Sequence, residues 1–92
     1  MIDTIRQNLT QMVVEAAQLK KHLLLLQIEN LENELLPCEE SLAGCLMALK
    51  QGHEVPDKLL LKKARETFSQ LRRLKNELSS TEQVLDVASR FN

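Results

Sequence analysis

Apolar residues recur along this chain at alternating steps of four and three: Leu24, Ile28, Leu31, Leu35, Cys38, Leu42, Cys45 and Leu49. That spacing keeps one side of an α-helix apolar and describes a helix packed lengthwise against another helix. A similar series lies upstream (Ile2, Ile5, Leu9, Met12, Ala16, Leu19, Leu23, Leu26), and a third lies downstream (Leu60, Ala64, Thr67, Leu71, Leu74, Leu78, Thr81, Leu85, Ala88). Gly44, Gly52, Pro37 and Pro56 are the only glycines and prolines, too few for the many turns of a β-sandwich or barrel. The pattern predicts an all-α protein.

The first stretch, from about Ile2 to Leu36, has neither Gly nor Pro and is rich in Leu, Glu, Gln, Lys and Ala, which predicts one long helix. Pro37 removes a backbone donor and crowds the preceding turn, so the helix should kink or stop there. Because Cys38, Leu42, Cys45 and Leu49 keep the phase, a kinked extension over about 38–50 is preferred to a reversal. Residues 51–57 (Q-G-H-E-V-P-D) read as the loop, with Gly52 suited to a helix C-terminus and Asp57 to the N-cap of the next helix. That helix should run from about 58 to 90. Ser80 and Gln83 have capping-box spacing and could break it, but Leu71, Leu74, Leu78, Leu85 and Ala88 hold one phase across that point.

Two long rods joined by one loop make an antiparallel, coiled-coil-like helical hairpin, a single domain over 1–92. With the reversal near His53, residues whose numbers add to about 107 should face each other. Glu34 would then lie beside Arg73, and Glu32 beside Lys75. The second arm is too short to reach the start of the first, leaving Ile2, Ile5, Leu9, Met12 and Val13 without cover. The run Leu23–Leu26 wraps more of the helix than one seam can use, while Leu61, Phe68, Val84, Val87 and Phe91 widen the apolar face of the second arm. Contiguous exposed apolar surface of this kind marks an interaction site. The residues expected at intermolecular contacts are Ile2, Ile5, Leu9, Met12 and Val13, with Leu24, Leu25, Phe68, Val84 and Phe91 as a second group. Pairing with a second hairpin or with helices of another protein would complete a four-helix bundle.

Composition narrows the function. Lys and Arg total 12 against 13 Asp and Glu, so whole-molecule charge gives no attraction to nucleic acid or anionic lipid. The charges are nevertheless segregated. Between Gln27 and Leu49 all are acidic (Glu29, Glu32, Glu34, Glu39, Glu40), whereas Lys58, Lys62, Lys63, Arg65, Arg72, Arg73 and Lys75 crowd the second arm against the single Glu66. That basic run is the one argument for nucleic acid; the scarcity of stacking aromatics and the acidic neighbours expected across the hairpin argue against it. Cys38 and Cys45, seven residues apart on one helical stretch, are too far apart to bridge and occupy seam positions as small apolar groups. With His22 and His53 they match no zinc spacing. No nucleophile–base arrangement, phosphate loop or G-x-S-x-G occurs, so no enzyme, cofactor, metal site or small-molecule substrate is expected. The longest purely apolar stretch, Leu23–Leu26, is far short of a membrane span. Together with the free thiols this leads to an expected cytoplasmic location.

The expected function is therefore a non-catalytic protein–protein interaction module, a structural or adaptor subunit of a coiled-coil assembly that partners itself or another helical chain. A small chaperone masking a helical client and a nucleic-acid binder acting through Lys58–Lys75 are the alternatives. In length and heptad spacing the chain resembles the helical-hairpin chaperones of bacterial type III secretion needle subunits, and also hairpin subunits of eukaryotic tethering and kinetochore complexes. The resemblance implies helix-to-helix binding and carries over no functional residue.

Overall fold

A computed structural model describes residues 2–90, and all of its regular structure is helical. Helix α1 spans Ile2–Leu35, a single turn of 3-10 helix covers Leu36–Cys38, α2 spans Glu39–Lys50, and α3 spans Lys58–Ser89. Pro37 sits at the start of the 3-10 turn, where its missing N–H costs least. Leu35, Cys38 and Glu39 all keep right-handed helical dihedrals, so α1 and α2 form one arm through a change of pitch. The resulting rod measures 70 × 19 × 15 Å.

The reversal is built by two local devices. Gly52 takes φ 75°, a conformation that penalises any side chain, and lies just beyond the last turn of α2. Around it the N–H of His53 donates to the Ala48 carbonyl at 2.9 Å and that of Gly52 to the Leu49 carbonyl at 3.2 Å, the paired bonds of a Schellman ending. Asp57 then opens α3: its extended backbone and its carboxylate, which accepts the Leu60 N–H at 2.9 Å, satisfy a donor that has no partner inside the helix.

Helices α1 and α3 lie antiparallel around a core of Leu24, Ile28, Leu71 and Leu74, with Leu31, Leu35 and Leu78 packed against it. On α3 the buried and half-buried positions are Leu60, Leu61, Ala64, Thr67, Leu71, Leu74, Leu78, Thr81, Leu85 and Ala88, the downstream series with Leu61 beside it. Thr67 and Thr81 are buried because each hydroxyl donates back to a carbonyl one turn earlier, to Lys63 at 3.0 Å and to Glu77 at 3.0 Å. Ser80 does likewise to Asn76 at 3.2 Å, so the capping-box spacing is unused and α3 runs through it unbroken.

Three expectations are corrected. The upstream half of the α1 seam runs through Thr10, Val14, Ala17 and Lys21; the series Ile2, Ile5, Leu9, Met12, Leu19, Leu23 and Leu26 is exposed. The helix is rigid, so once Leu24 and Ile28 face α3 their phase dictates what faces it one and two heptads earlier. At the other end Leu49 is exposed and Ala48 is half-buried instead. The 3-10 turn rotates each residue by about 120° rather than about 100°, which advances the inward face by a fraction of a residue.

The register is also shorter than expected. Lys21 and Glu82 form the cross-arm ion pair at 3.8 Å, and their numbers add to 103. Because Gly52 turns the chain immediately after α2, residues 53–57 already travel back along the rod, and every opposing pair moves by about four positions. Glu34 therefore lies near Lys63 and Thr67, and Arg73 near Gln27 and Asn30. Neither of the expected pairs, Glu34–Arg73 and Glu32–Lys75, is among the ion pairs of the described residues.

Two outcomes test this arrangement. Leu74→Ala should cost about 2–5 kcal/mol in a denaturant titration followed by circular dichroism, because the seam has no second layer to refill the space. Gly52→Ala should cost about 1–2 kcal/mol in the same titration through its φ alone, since no atom crowds the position.

Candidate interaction surface

An α-helix advances about 100° per residue, so the exposed α1 series lies roughly 140° around the helix from the seam that α3 covers. It forms a separate apolar stripe. Ile2 is 81% exposed, Leu9 57%, Met12 64% and Leu19 62%, values far above those of the core leucines. Ile5, Val13, Leu23, Leu25 and Leu26 are exposed as well. Arg6 and Lys20 border this stripe; within it, between Ile2 and Leu26, apolar residues recur at every helical turn.

Of the residues expected at intermolecular contacts, Ile2, Ile5, Leu9, Met12, Val13, Leu25, Phe68 and Val84 are exposed. Leu24 is not: it is 4% exposed in the centre of the hairpin's own core and leaves the contact set. Phe91 lies outside the described residues. Leu19, Leu23, Leu26, Leu36 and Val87, which the pattern of the chain did not single out as contacts, are exposed too. For Leu19, Leu23 and Leu26 the signal is present in the sequence, because they continue the Ile2–Met12 phase and not that of Leu24.

Two grooves follow from the side-by-side packing of the arms. At the open end Leu9 and Val13 of α1 face Val84 and Val87 of α3, with Ala88 at the base and Arg6, Ser80 and Gln83 at the rim. This groove joins the α1 stripe to the apolar edge of α3. Nearer the turn, a second groove has Leu35, Leu36, Leu42, Phe68 and Leu71 as its floor. Its two walls carry opposite charge, Glu32 and Glu39 on the first arm and Arg72 and Lys75 on α3.

The area left exposed is large for the chain length. The molecule exposes 7546 Å², whereas a compact monomer of this mass exposes about 5,400 Å². Its radius of gyration is 20.3 Å against about 12 Å for a compact chain, as an elongated rod requires. One seam between two rods cannot remove more.

Other chemistry is sparse. Cys45 is 1% exposed and Cys38 is half-buried, its thiol 3.7 Å from the Glu34 carbonyl; both are free thiols. His22 and His53 are exposed. Among the described residues no group of three or more His, Cys, Asp and Glu side chains is placed to hold a metal ion, and no helix is long and apolar enough to cross a membrane. Lys58, Lys62, Arg65, Arg72 and Arg73 are all exposed, and none is ion-paired among the described residues.

The burial difference between the thiols has a direct readout: a polar aromatic disulfide reagent should modify one thiol per chain promptly under native conditions and the second only as denaturant opens the hairpin. Equal rates would contradict the packing around Cys45. No protein-family model matches this chain, and no curated protein or solved structure is found to match it.

Proposed function

We propose that this chain is a non-catalytic interaction module, a helical hairpin that serves as a structural subunit of a coiled-coil assembly and completes a four-helix bundle with another helical chain or another copy of itself. The observation that carries this reading is the stripe from Ile2 to Leu26, a second apolar face on α1 that α3 leaves exposed. Apolar residues at heptad-like spacing on a rigid helix are suited to a partner helix laid alongside. The contacts are assigned to Ile2, Ile5, Leu9, Met12, Val13 and Leu25, with Phe68 and Val84 on α3. A free thiol in the seam fits a reducing, cytoplasmic compartment. The same surface would serve a small chaperone that masks a client helix, and the state of the isolated chain separates the two roles. A structural subunit self-assembles into a stable species, while a chaperone stays a loosely packed monomer until its client is supplied.

Light scattering coupled to gel filtration, together with thermal melts over a range of concentrations, tests the proposal. The full chain should have a mass above the 10.5 kDa of one copy and a concentration-dependent melt, or else bind a hydrophobic dye as an unsatisfied monomer. Leu9→Glu combined with Met12→Glu should abolish the dye binding and any association made through the stripe while leaving helix content intact, since neither residue enters the core. A single copy that melts cooperatively at one temperature at all concentrations and binds no dye would overturn the reading.

A further inference from the structure

The groove beside Pro37 has a pattern that the first arm does not repeat elsewhere. On the first arm Glu32, Leu36 and Glu39 follow one another at steps of four and three; on α3, read in the opposite direction, Arg72, Phe68 and Arg65 follow at the same steps. All six are exposed, Leu36 at 65% and Phe68 at 52%. Their numbers add to 104 in each opposing pair, within one of the Lys21–Glu82 pair, so the two ladders stand level across the groove. Glu29 and Lys75 extend them by one further step with the same sum. None of these charges is ion-paired among the described residues.

We propose that a second copy of this chain docks on this groove, related to the first by a two-fold axis parallel to the helices. This rests on the reading of the chain as an interaction module and names the partner for one of its faces. Rotation about the long axis leaves heights unchanged and exchanges the arms, so the first arm of each copy lies on α3 of the other. Glu32 then meets Arg72 of the second copy, Leu36 meets Phe68, and Glu39 meets Arg65, each contact occurring twice as a two-fold interface requires. The alternative two-fold, with its axis across the helices, sets the first arm on itself and places carboxylates against carboxylates, which costs affinity. Charge complementarity thus selects both the partner and the orientation: an occupant must offer a basic ladder to one wall and an acidic ladder to the other at one spacing, and this chain offers both. The Ile2–Leu26 stripe, on another side of α1, stays outside this interface.

Charge exchange tests the proposal with two variants of the full chain, Glu32→Arg with Glu39→Arg and Arg65→Glu with Arg72→Glu. Sedimentation velocity should show the wild type as a dimer. Each variant alone should be at least tenfold weaker in self-association, and an equimolar mixture should restore a dimer containing one chain of each. The mixture is decisive because a contact within one chain cannot be rescued by another chain. If either variant alone is poorly folded, recovery of helix content and dimer mass on mixing demonstrates the same contact between chains. The proposal is overturned if the variants retain the wild-type mass, if the mixture gives no mixed dimer, or if the wild type is a single copy. Loss of association in the Leu9→Glu, Met12→Glu chain with no effect of charge exchange would remove this partner assignment and leave the interaction reading standing. A folded, cooperative single copy would remove both.

Discussion

A pair of helices has one seam, and the rest of this molecule is organised by which side chains fill it. Leu24, Ile28, Leu71 and Leu74 occupy its middle, and burying such side chains is worth about 1.5–3 kcal/mol each. Towards the open end the seam narrows to Thr10, Val14, Ala17, Thr81 and Ala88, and towards the turn it narrows to Cys45 and Ala48. The cohesive part is short compared with a 70 Å rod. A chain of this size has little stability to spare even when compact, so the thin ends are the least stable parts of the rod.

Local backbone chemistry fixes where that seam lies. Gly52, through its positive φ and the Schellman bonds around it, turns the chain within two residues of α2, and Asp57 starts α3 by capping Leu60. The 3-10 turn at Pro37 changes the pitch of the first arm without ending it. These three devices decide the heights at which the arms meet. Exposed ion pairs contribute only about 0–1 kcal/mol and follow that register; here Lys21 and Glu82 come together while Glu34 and Arg73 do not.

The surface that remains is of two kinds. One is the apolar stripe from Ile2 to Leu26, continuous with the Val84–Val87 edge. The other is the groove around Leu36 and Phe68, where walls of opposite charge flank an apolar floor.

Much of this was legible in the residue pattern. Heptad spacing and the near absence of Gly and Pro specify long helices, and the downstream series Leu60–Ala88 named the α3 seam, because a helix with one apolar face has one way to bury it. Gly52 and Asp57 announced the turn through their intrinsic conformational preferences. The first arm was different, since it carries two apolar faces and either could have met α3. Only the packed structure decided that Leu24 goes inside while Leu23 and Leu26 stay out, that Lys21 sits in the seam, and that the register stands at 103 instead of 107. Helical periodicity fixes which residues share a face, but the choice of which face is covered depends on where the partner helix lies, and that is set by the geometry of the turn.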